Sequence, residues 1–261
     1  MPPSAARTSP ARRFGRRREA AHALAAELSK LRSQPAVRLT LIGTWCVHLL
    51  LSFAFTQAEA QSPGGPQSWL DIGLASFPYA QAGFIVLGVL AACSEYNGGQ
   101  LRTTLLAMPR RGLQFMAAQL ALALWAVPAA LIVIASGIGL AAVLADASSP
   151  LDAGRLAAAL AGATGALALT TLLGAAVGAL LRQTLSAAAV MLGLYFVAGP
   201  ILRGRIALAK YLPDAAGIAM WQPQSAQAPH TLAPAQGALC LILWTLAALI
   251  LAAIVYRRRD I

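Results

Sequence analysis

The chain has 261 residues, of which 58% are hydrophobic and 11% are charged, and its mean hydropathy is +0.66. A soluble domain carries about 25% charged residues, so this composition excludes an ordinary soluble protein. The apolar residues form runs of about 20, long enough to cross a hydrocarbon core as helices, without the short alternating strands of an outer-membrane barrel. The composition predicts an all-α, polytopic membrane protein.

The net charge of +11 comes largely from the two ends of the chain. Nine of the twenty Lys and Arg residues precede residue 39, and Arg257, Arg258 and Arg259 lie near the other end. Basic flanks beside apolar spans are typical of the inner, anionic side of a membrane. We therefore expect the lipid bilayer as a partner, and no nucleic acid.

The first 38 residues divide into two parts. Residues 1–18 are rich in Pro, Ser, Ala and Arg, which predicts a disordered basic tail. Residues 19–38 predict an amphipathic interfacial helix, because three leucines repeat at i, i+4 and i+7. These are Leu24, Leu28 and Leu31. A solvated helical linker is the alternative.

Residues 39–261 predict a six-helix transmembrane domain. The spans cover about residues 39–58, 77–94, 115–145, 156–181, 184–201 and 236–256. The first is longer than the 7–15 apolar residues of a signal peptide, so we expect it to be retained. The third is longer than one crossing needs, which predicts a helix that is tilted or extends beyond the bilayer, with a kink at Pro128.

Two connecting segments complete this interpretation. Residues 61–71 are rich in polar residues, Pro and Gly and predict a loop. Residues 206–220 are moderately apolar but too short and too polar to span, which leaves a re-entrant helix or a surface helix.

Six spans place both termini on one side, and the distribution of positive charge indicates which side. With the termini inside, sixteen of the twenty basic residues face the cytoplasm. The outer loops keep Arg155, Arg203, Arg205 and Lys210. This asymmetry predicts cytoplasmic termini and a multi-pass protein of the cell (cytoplasmic, inner) membrane.

The chain carries no recognisable catalytic or metal-binding motif. It has two lysines, Lys30 and Lys210, and neither follows a glycine as a P-loop requires. His22, His48 and His230 are far apart in sequence. We therefore predict no enzyme activity, no metal and no cofactor in this chain, so that its energy source is a partner.

The segment between the second and third spans interrupts the apolar runs. Residues 95–112 read E-Y-N-G-G-Q-L-R-T-T-L-L-A-M-P-R-R-G. Gly98 and Gly99 can turn the chain along the surface, and an i, i+4, i+7 apolar stripe from Leu101 predicts a short helix that Pro109 ends. The arginines suit lipid phosphate or acidic protein groups. An ordinary loop that anchors the helix ends is the alternative.

Residues 94–111 resemble the Glu-aromatic-x-x-Gly-x-(apolar)-Arg-Thr-x-Leu-x-x-x-Pro-x-Arg signature of ABC type-2 export permeases, which follows the second of six spans. Residues 27–33 resemble that family's interfacial elbow helix before the first span. Residues 211–217 are similar to its extracellular segment between spans five and six. The Ala-, Arg- and Gly-rich composition resembles actinobacterial members of the family.

The resemblance implies that residues 95–112 dock on a separate cytoplasmic ATPase subunit and couple ATP hydrolysis to transport. The coupling candidates carried over by position are Glu95, Gly98, Gly99, Arg102, Thr103, Thr104, Pro109, Arg110 and Arg111. It also implies two permease subunits, alike or different, with ATP bound on the partner subunits. A drug, a peptide or a lipid is the expected substrate.

Two other functions stay open. A secondary carrier or channel would need an ion site inside the membrane, for which His48 is the one candidate near mid-span. The sequence favours an interhelical hydrogen-bonding role for this residue over a proton relay. A non-transporting membrane scaffold for a cytoplasmic partner is the other alternative.

Overall fold

The computed structural model describes residues 10–61, 68–94, 111–145, 152–203, 205–222 and 232–258. Within these ranges the chain is almost wholly helical and has no strand. The α-helices in chain order are α1 (Pro10–Ser33), α2 (Pro35–Ala60), α3 (Trp69–Ala75), α4 (Phe77–Cys93), α5 (Arg111–Leu144), α6 (Ala153–Leu181), α7 (Thr184–Gly193), α8 (Gly199–Arg203), α9 (Pro213–Ala219) and α10 (Pro234–Arg258). A π-helical turn, Leu194–Ala198, joins α7 to α8, and a 3-10 turn, Ala207–Tyr211, precedes α9.

Six helical segments in the described part of the chain are long and apolar enough to cross a membrane. They are α2, α3 with α4, α5 from Gly112, α6, α7 with the π turn and α8, and α10. The all-α fold with six candidate spans is therefore confirmed. Helix α5 continues through Pro128.

The second of these segments begins earlier than the sequence predicted. The predicted loop over residues 61–71 is wrong at its end, because α3 starts at Trp69. Most of α3 is buried against α5, and a methyl group at Gly73 would collide with the backbone of Ile138. Packing against α5 therefore stabilises this short helix. The polar residues around it in the sequence did not indicate a helix there.

Helix α1 begins at Pro10, inside the segment predicted to be a disordered tail. Residues 11–18 contain five arginines and an alanine, all good helix formers, and proline is tolerated in a first turn. The interfacial-helix pattern begins at residue 19, and from there α1 packs along α5 with Ala23, Glu27 and Leu31 buried.

Helix α6 is the centre of the bundle and makes its most extensive contacts with α4, α10 and α5. Its buried positions are mostly Ala, Gly and Thr, which let neighbouring backbones approach closely. A methyl group at Gly88 of α4 would collide with the Thr171 carbonyl of α6, and one at Gly174 would lie 3.0 Å from the Ile85 carbonyl oxygen. Small residues on both helices thus hold α4 and α6 together.

Helix α2 buries its polar side. Its buried residues are Val37, Thr44, His48, Ser52 and Thr56, whereas large apolar side chains such as those of Leu39 and Leu50 are exposed. Such an arrangement suits a helix whose outer face meets lipid and whose inner face meets other helices.

The bundle has two ends. At one, here called the α1 end, helix α1 meets the last turns of α4, α6 and α10 and the first turns of α5 around a small cavity. At the other, here called the α9 end, α3, the first turns of α6 and the α9 region come together. The described start and end of the chain therefore share the α1 end.

Residues 206–220 fold into the α9 end of the bundle. Pro213, Ala216 and Ala219 of α9 are buried, and α9 packs against α10 and α6. The rings of Phe77 and Trp221 lie 4.8 Å apart at their centroids, which fixes the chain just after α9 to the start of α4. Helix α9 is therefore packed against the bundle, whereas Ile206, Leu208 and Tyr211 before it are exposed.

Candidate functional site

The predicted coupling segment lies between α4 and α5. Eight of its candidate residues lie outside the described residues: Glu95, Gly98, Gly99, Arg102, Thr103, Thr104, Pro109 and Arg110. The ninth, Arg111, is the first residue of α5. The structure therefore describes the two flanks of the segment, both of which lie at the α1 end.

The α4 flank is fixed to α6. The Cys93 thiol is buried and donates a hydrogen bond to the Gly178 carbonyl of α6, with sulfur and oxygen 3.6 Å apart. Ser94 caps α4, because its amide donates to the Leu90 carbonyl at 3.0 Å and its hydroxyl to the Ala91 carbonyl at 2.9 Å. A displacement of the segment at this flank would therefore be transmitted to α4 and α6.

Polar side chains of α1, α5 and α10 come together at the α5 flank and are here called the basal cluster: Glu27, Lys30, Gln114, Gln119 and Tyr256. Glu27 is buried and pairs with Lys30 at 3.4 Å. The Tyr256 hydroxyl donates to the Gln114 side-chain oxygen at 3.3 Å. The cavity among these helices is about 30 Å³, room for little more than a water molecule.

A second set of buried polar groups lies toward the α9 end, around the π turn. The Gln81 amide of α4 donates to the Thr170 hydroxyl of α6 at 3.5 Å, and that hydroxyl lies 3.4 Å from the Tyr195 hydroxyl. Tyr195 belongs to the π turn, and such turns occur frequently at functional sites. These three side chains connect three spanning segments through polar contacts.

Asp214 is a buried acid next to this set. Its carboxylate is 2% exposed and lies 3.2 Å from the Arg203 Nε of α8, whose side chain is 35% exposed. Burial raises the pKa of Asp214 above its ordinary value, and the positive charge of Arg203 lowers it in part. A methyl group at Gly199 would overlap the carboxylate, so glycine is needed where α8 passes α9.

His48 lies at the contact of α2 with the α3–α4 junction and α5. Its Nδ1 is 3.0 Å from the Ser76 hydroxyl, and the neighbouring Ser52 hydroxyl donates to the Gly137 carbonyl at 3.0 Å. The ring is fully buried, and Gly137 leaves space for it. His48 therefore makes an interhelical hydrogen bond, the interaction that the sequence favoured for it.

Sequence reasoning missed the contacts of Gln81, Thr170, Tyr195, Arg203 and Asp214. Polar side chains within apolar runs were the available signal, but their partners depend on the packing of α4, α6 and α9. In the described ranges no three His, Cys, Asp or Glu residues come together as a metal site requires.

Comparison of the chain with protein-family models gives no match, and comparison with curated proteins gives none either.

Proposed function

We propose that the chain is the membrane-spanning permease subunit of an ABC exporter, which forms the substrate path with a second permease subunit. Separate cytoplasmic ATPase subunits bind and hydrolyse the ATP. The observation that carries the proposal is that the two described flanks of residues 95–110 both lie at the α1 end, where the α4 flank is hydrogen-bonded to the central helix α6. A docking segment needs such rigid flanks to pass on a displacement.

The charge distribution supports a cytoplasmic α1 end. The segments that adjoin this end in the helix order carry sixteen of the twenty basic residues. The four remaining ones, Arg155, Arg203, Arg205 and Lys210, adjoin the α9 end. This asymmetry is the pattern of the positive-inside rule.

The coupling follows from the contacts of the two flanks. In the proposal, ATP-driven closure of the ATPase subunits moves residues 95–112 and with them α4 and α5. Helix α4 carries α6 along, because glycine contacts and the Cys93 hydrogen bond hold the two helices together. Helix α5 carries α10 through the hydrogen bond between Gln114 and Tyr256, and it carries α1 because the two helices pack against each other. The two states of the permease then differ in how these groups of helices are arranged.

The first test is capture of the partner. The full chain, affinity-tagged in its native membrane, is expected to co-purify with a P-loop ATPase, and Arg102→Glu is expected to lose it. Arg205→Glu is the matched control, because it makes the same charge reversal on an exposed residue adjoining the α9 end. Equal ATPase recovery from both variants would contradict the assignment of residues 95–112.

The second test is transport. With the ATPase reconstituted in liposomes, Glu95→Ala is expected to abolish ATP-dependent substrate movement at unchanged membrane insertion. Substrate movement by the chain without any ATPase would favour a secondary carrier instead. ATPase capture without nucleotide-dependent movement would favour the scaffold. A reporter fused at Asn97 that gives a periplasmic signal would refute the topology.

A further inference from the structure

A lateral groove of about 450 Å³ lies between α1 and α5 at the α1 end. It is here called the α1–α5 groove and is bounded by Ala20, Leu24, Leu113, Ala117, Ala123 and Leu172. Its volume falls within the roughly 300–1,000 Å³ of sites that bind small molecules. It arises because alanines on both helices leave space that larger side chains would fill.

The residues that line the groove favour a hydrocarbon ligand. Nine of its ten lining residues are Ala, Leu or Met, and Gln119 is the polar one. Among the side chains that the structure describes, no charged one lines it. A charged head group inside it would lose its hydration without a compensating partner, so an uncharged chain is the ligand that fits.

The length of the groove matches one leaflet of a bilayer. The eleven residues from Leu113 to Ala123 of α5 span about 15 Å at the rise of an α-helix. That distance is about half the hydrocarbon thickness of a bilayer. Met116 and Leu120, at its edge, are 64% and 52% exposed, so the groove opens sideways between side chains that face the lipid.

A positive charge lies at the end of the groove nearest the α1 end. A Cβ at Gly112 would lie 3.9 Å from the Arg257 Nε, and Gly112 precedes Leu113, which lines the groove. Arg257 is exposed. An arginine suits a phosphate group, which it binds with two hydrogen bonds.

We propose that the α1–α5 groove binds one acyl chain of a phospholipid from the leaflet at the α1 end, with the lipid phosphate beside Arg257. The bound chain fills the space between α1 and α5. The position of α1 relative to the start of α5, which flanks residues 95–110, therefore depends on whether this lipid is bound. This proposal does not require that the chain transport a substrate.

The test uses the full chain in nanodiscs of phosphatidylethanolamine and phosphatidylglycerol that contain a phospholipid with a photoactivatable group near the end of its acyl chain. After irradiation, mass spectrometry is expected to find the label concentrated in residues 113–123 and 20–24. Label spread evenly over the exposed faces of α2, α7 and α10 would overturn the proposal. Cross-linking of two protein chains through the groove in place of lipid would also overturn it.

Filling the groove provides the matched comparison. Ala123→Phe occupies its inner end and is expected to lower labelling of residues 113–123 about tenfold, because several methylene groups lose their contacts. Ala189→Phe, on the exposed face of α7, is expected to leave that labelling unchanged. If Ala123→Phe does not fold, Ala20→Phe fills the groove from the α1 side. Unchanged labelling in the filled variant would refute the site.

The phosphate contact is tested separately. Arg257→Glu is expected to lower labelling by a phosphatidylglycerol probe severalfold, and the neighbouring Arg258→Glu is the charge-matched control. An equal loss in both variants would show general attraction of anionic lipid and would remove Arg257 from the site.

Discussion

Replacing Arg203 with glutamine removes the positive charge that faces Asp214. Removing one partner of a fully buried ion pair costs about 3–5 kcal/mol, because the other charge stays buried without compensation. The Asp214 side chain is 2% exposed but that of Arg203 is 35% exposed, so solvent already screens part of their attraction. We therefore expect Arg203→Gln to lower the free energy of unfolding by about 2 kcal/mol at neutral pH, less than the full value for a buried pair.

The pH dependence identifies the ion pair as the cause. Burial raises the pKa of Asp214 in the folded protein, so its contribution to stability is present below the ordinary pKa and is lost as pH rises through the raised value. Arg203 opposes this loss, and its removal raises the pKa further. The difference in stability between wild type and Arg203→Gln should therefore be largest at neutral pH and shrink as the pH falls and Asp214 becomes protonated in both proteins.

The groups that face Asp214 are few among the described residues. Arg203 supplies the opposing charge, and Tyr195, whose hydroxyl bonds to Thr170, lies on the π turn. Backbone amides at the start of α9 also favour the carboxylate. The ion pair is thus the contact that a change at residue 203 alters most.

The assay is thermal unfolding of the purified full chain in one detergent across this pH range. At about 2–4 °C per kcal/mol, the midpoint of Arg203→Gln should fall by about 4–8 °C at neutral pH. Arg205→Gln is the control, because Arg205 is a nearby exposed arginine. Equal losses in both variants, or a loss that does not change with pH, would refute the reasoning.

Two further predictions concern packing and surface charge. Gly137→Ala places a methyl group against the His48 imidazole and is expected to lower the unfolding free energy by about 1–3 kcal/mol. Gly139→Ala, which has nothing within 4 Å, should be neutral or raise it by up to about 1 kcal/mol in the same thermal assay; equal effects would contradict the packing. The exposed Arg155–Asp71 pair, with nitrogen and oxygen 2.9 Å apart, should contribute about 0.2–1 kcal/mol. The effect of Asp71→Asn, measured by urea denaturation, should therefore disappear at about 1 M salt, and a loss that persists there would contradict it.

The six spans could be predicted from the sequence because run length alone indicates them. Their positions agree with the predicted ranges, apart from the added helix α3. The sequence could not predict α3, since its seven residues are helical through packing against α5 rather than through a period of their own. A helix of about two turns is too short for a periodic pattern of apolar residues to indicate it.

The polar contacts inside the bundle could not be predicted from the sequence and are known from the structure. Arg203 and Asp214 are separated by a 3-10 turn, and whether they meet depends on how α9 folds back. The α1–α5 groove depends on alanines from helices that are far apart in sequence. The role of residues 95–112 is a prediction from resemblance, and the structure adds the attachment of their flanks.

The polar inner face of α2 has a consequence for biosynthesis. Thr44 and Thr56 donate to carbonyls of their own helix, so they are satisfied as soon as α2 forms. His48 and Ser52 instead form hydrogen bonds with Ser76 and the Gly137 carbonyl, which are synthesised after α2. On insertion, α2 exposes these two groups to lipid until α3 and α5 arrive. The stability of α2 in the membrane therefore depends on helices that are inserted after it. A chain truncated before α5 should be a preferred substrate for membrane quality-control proteases.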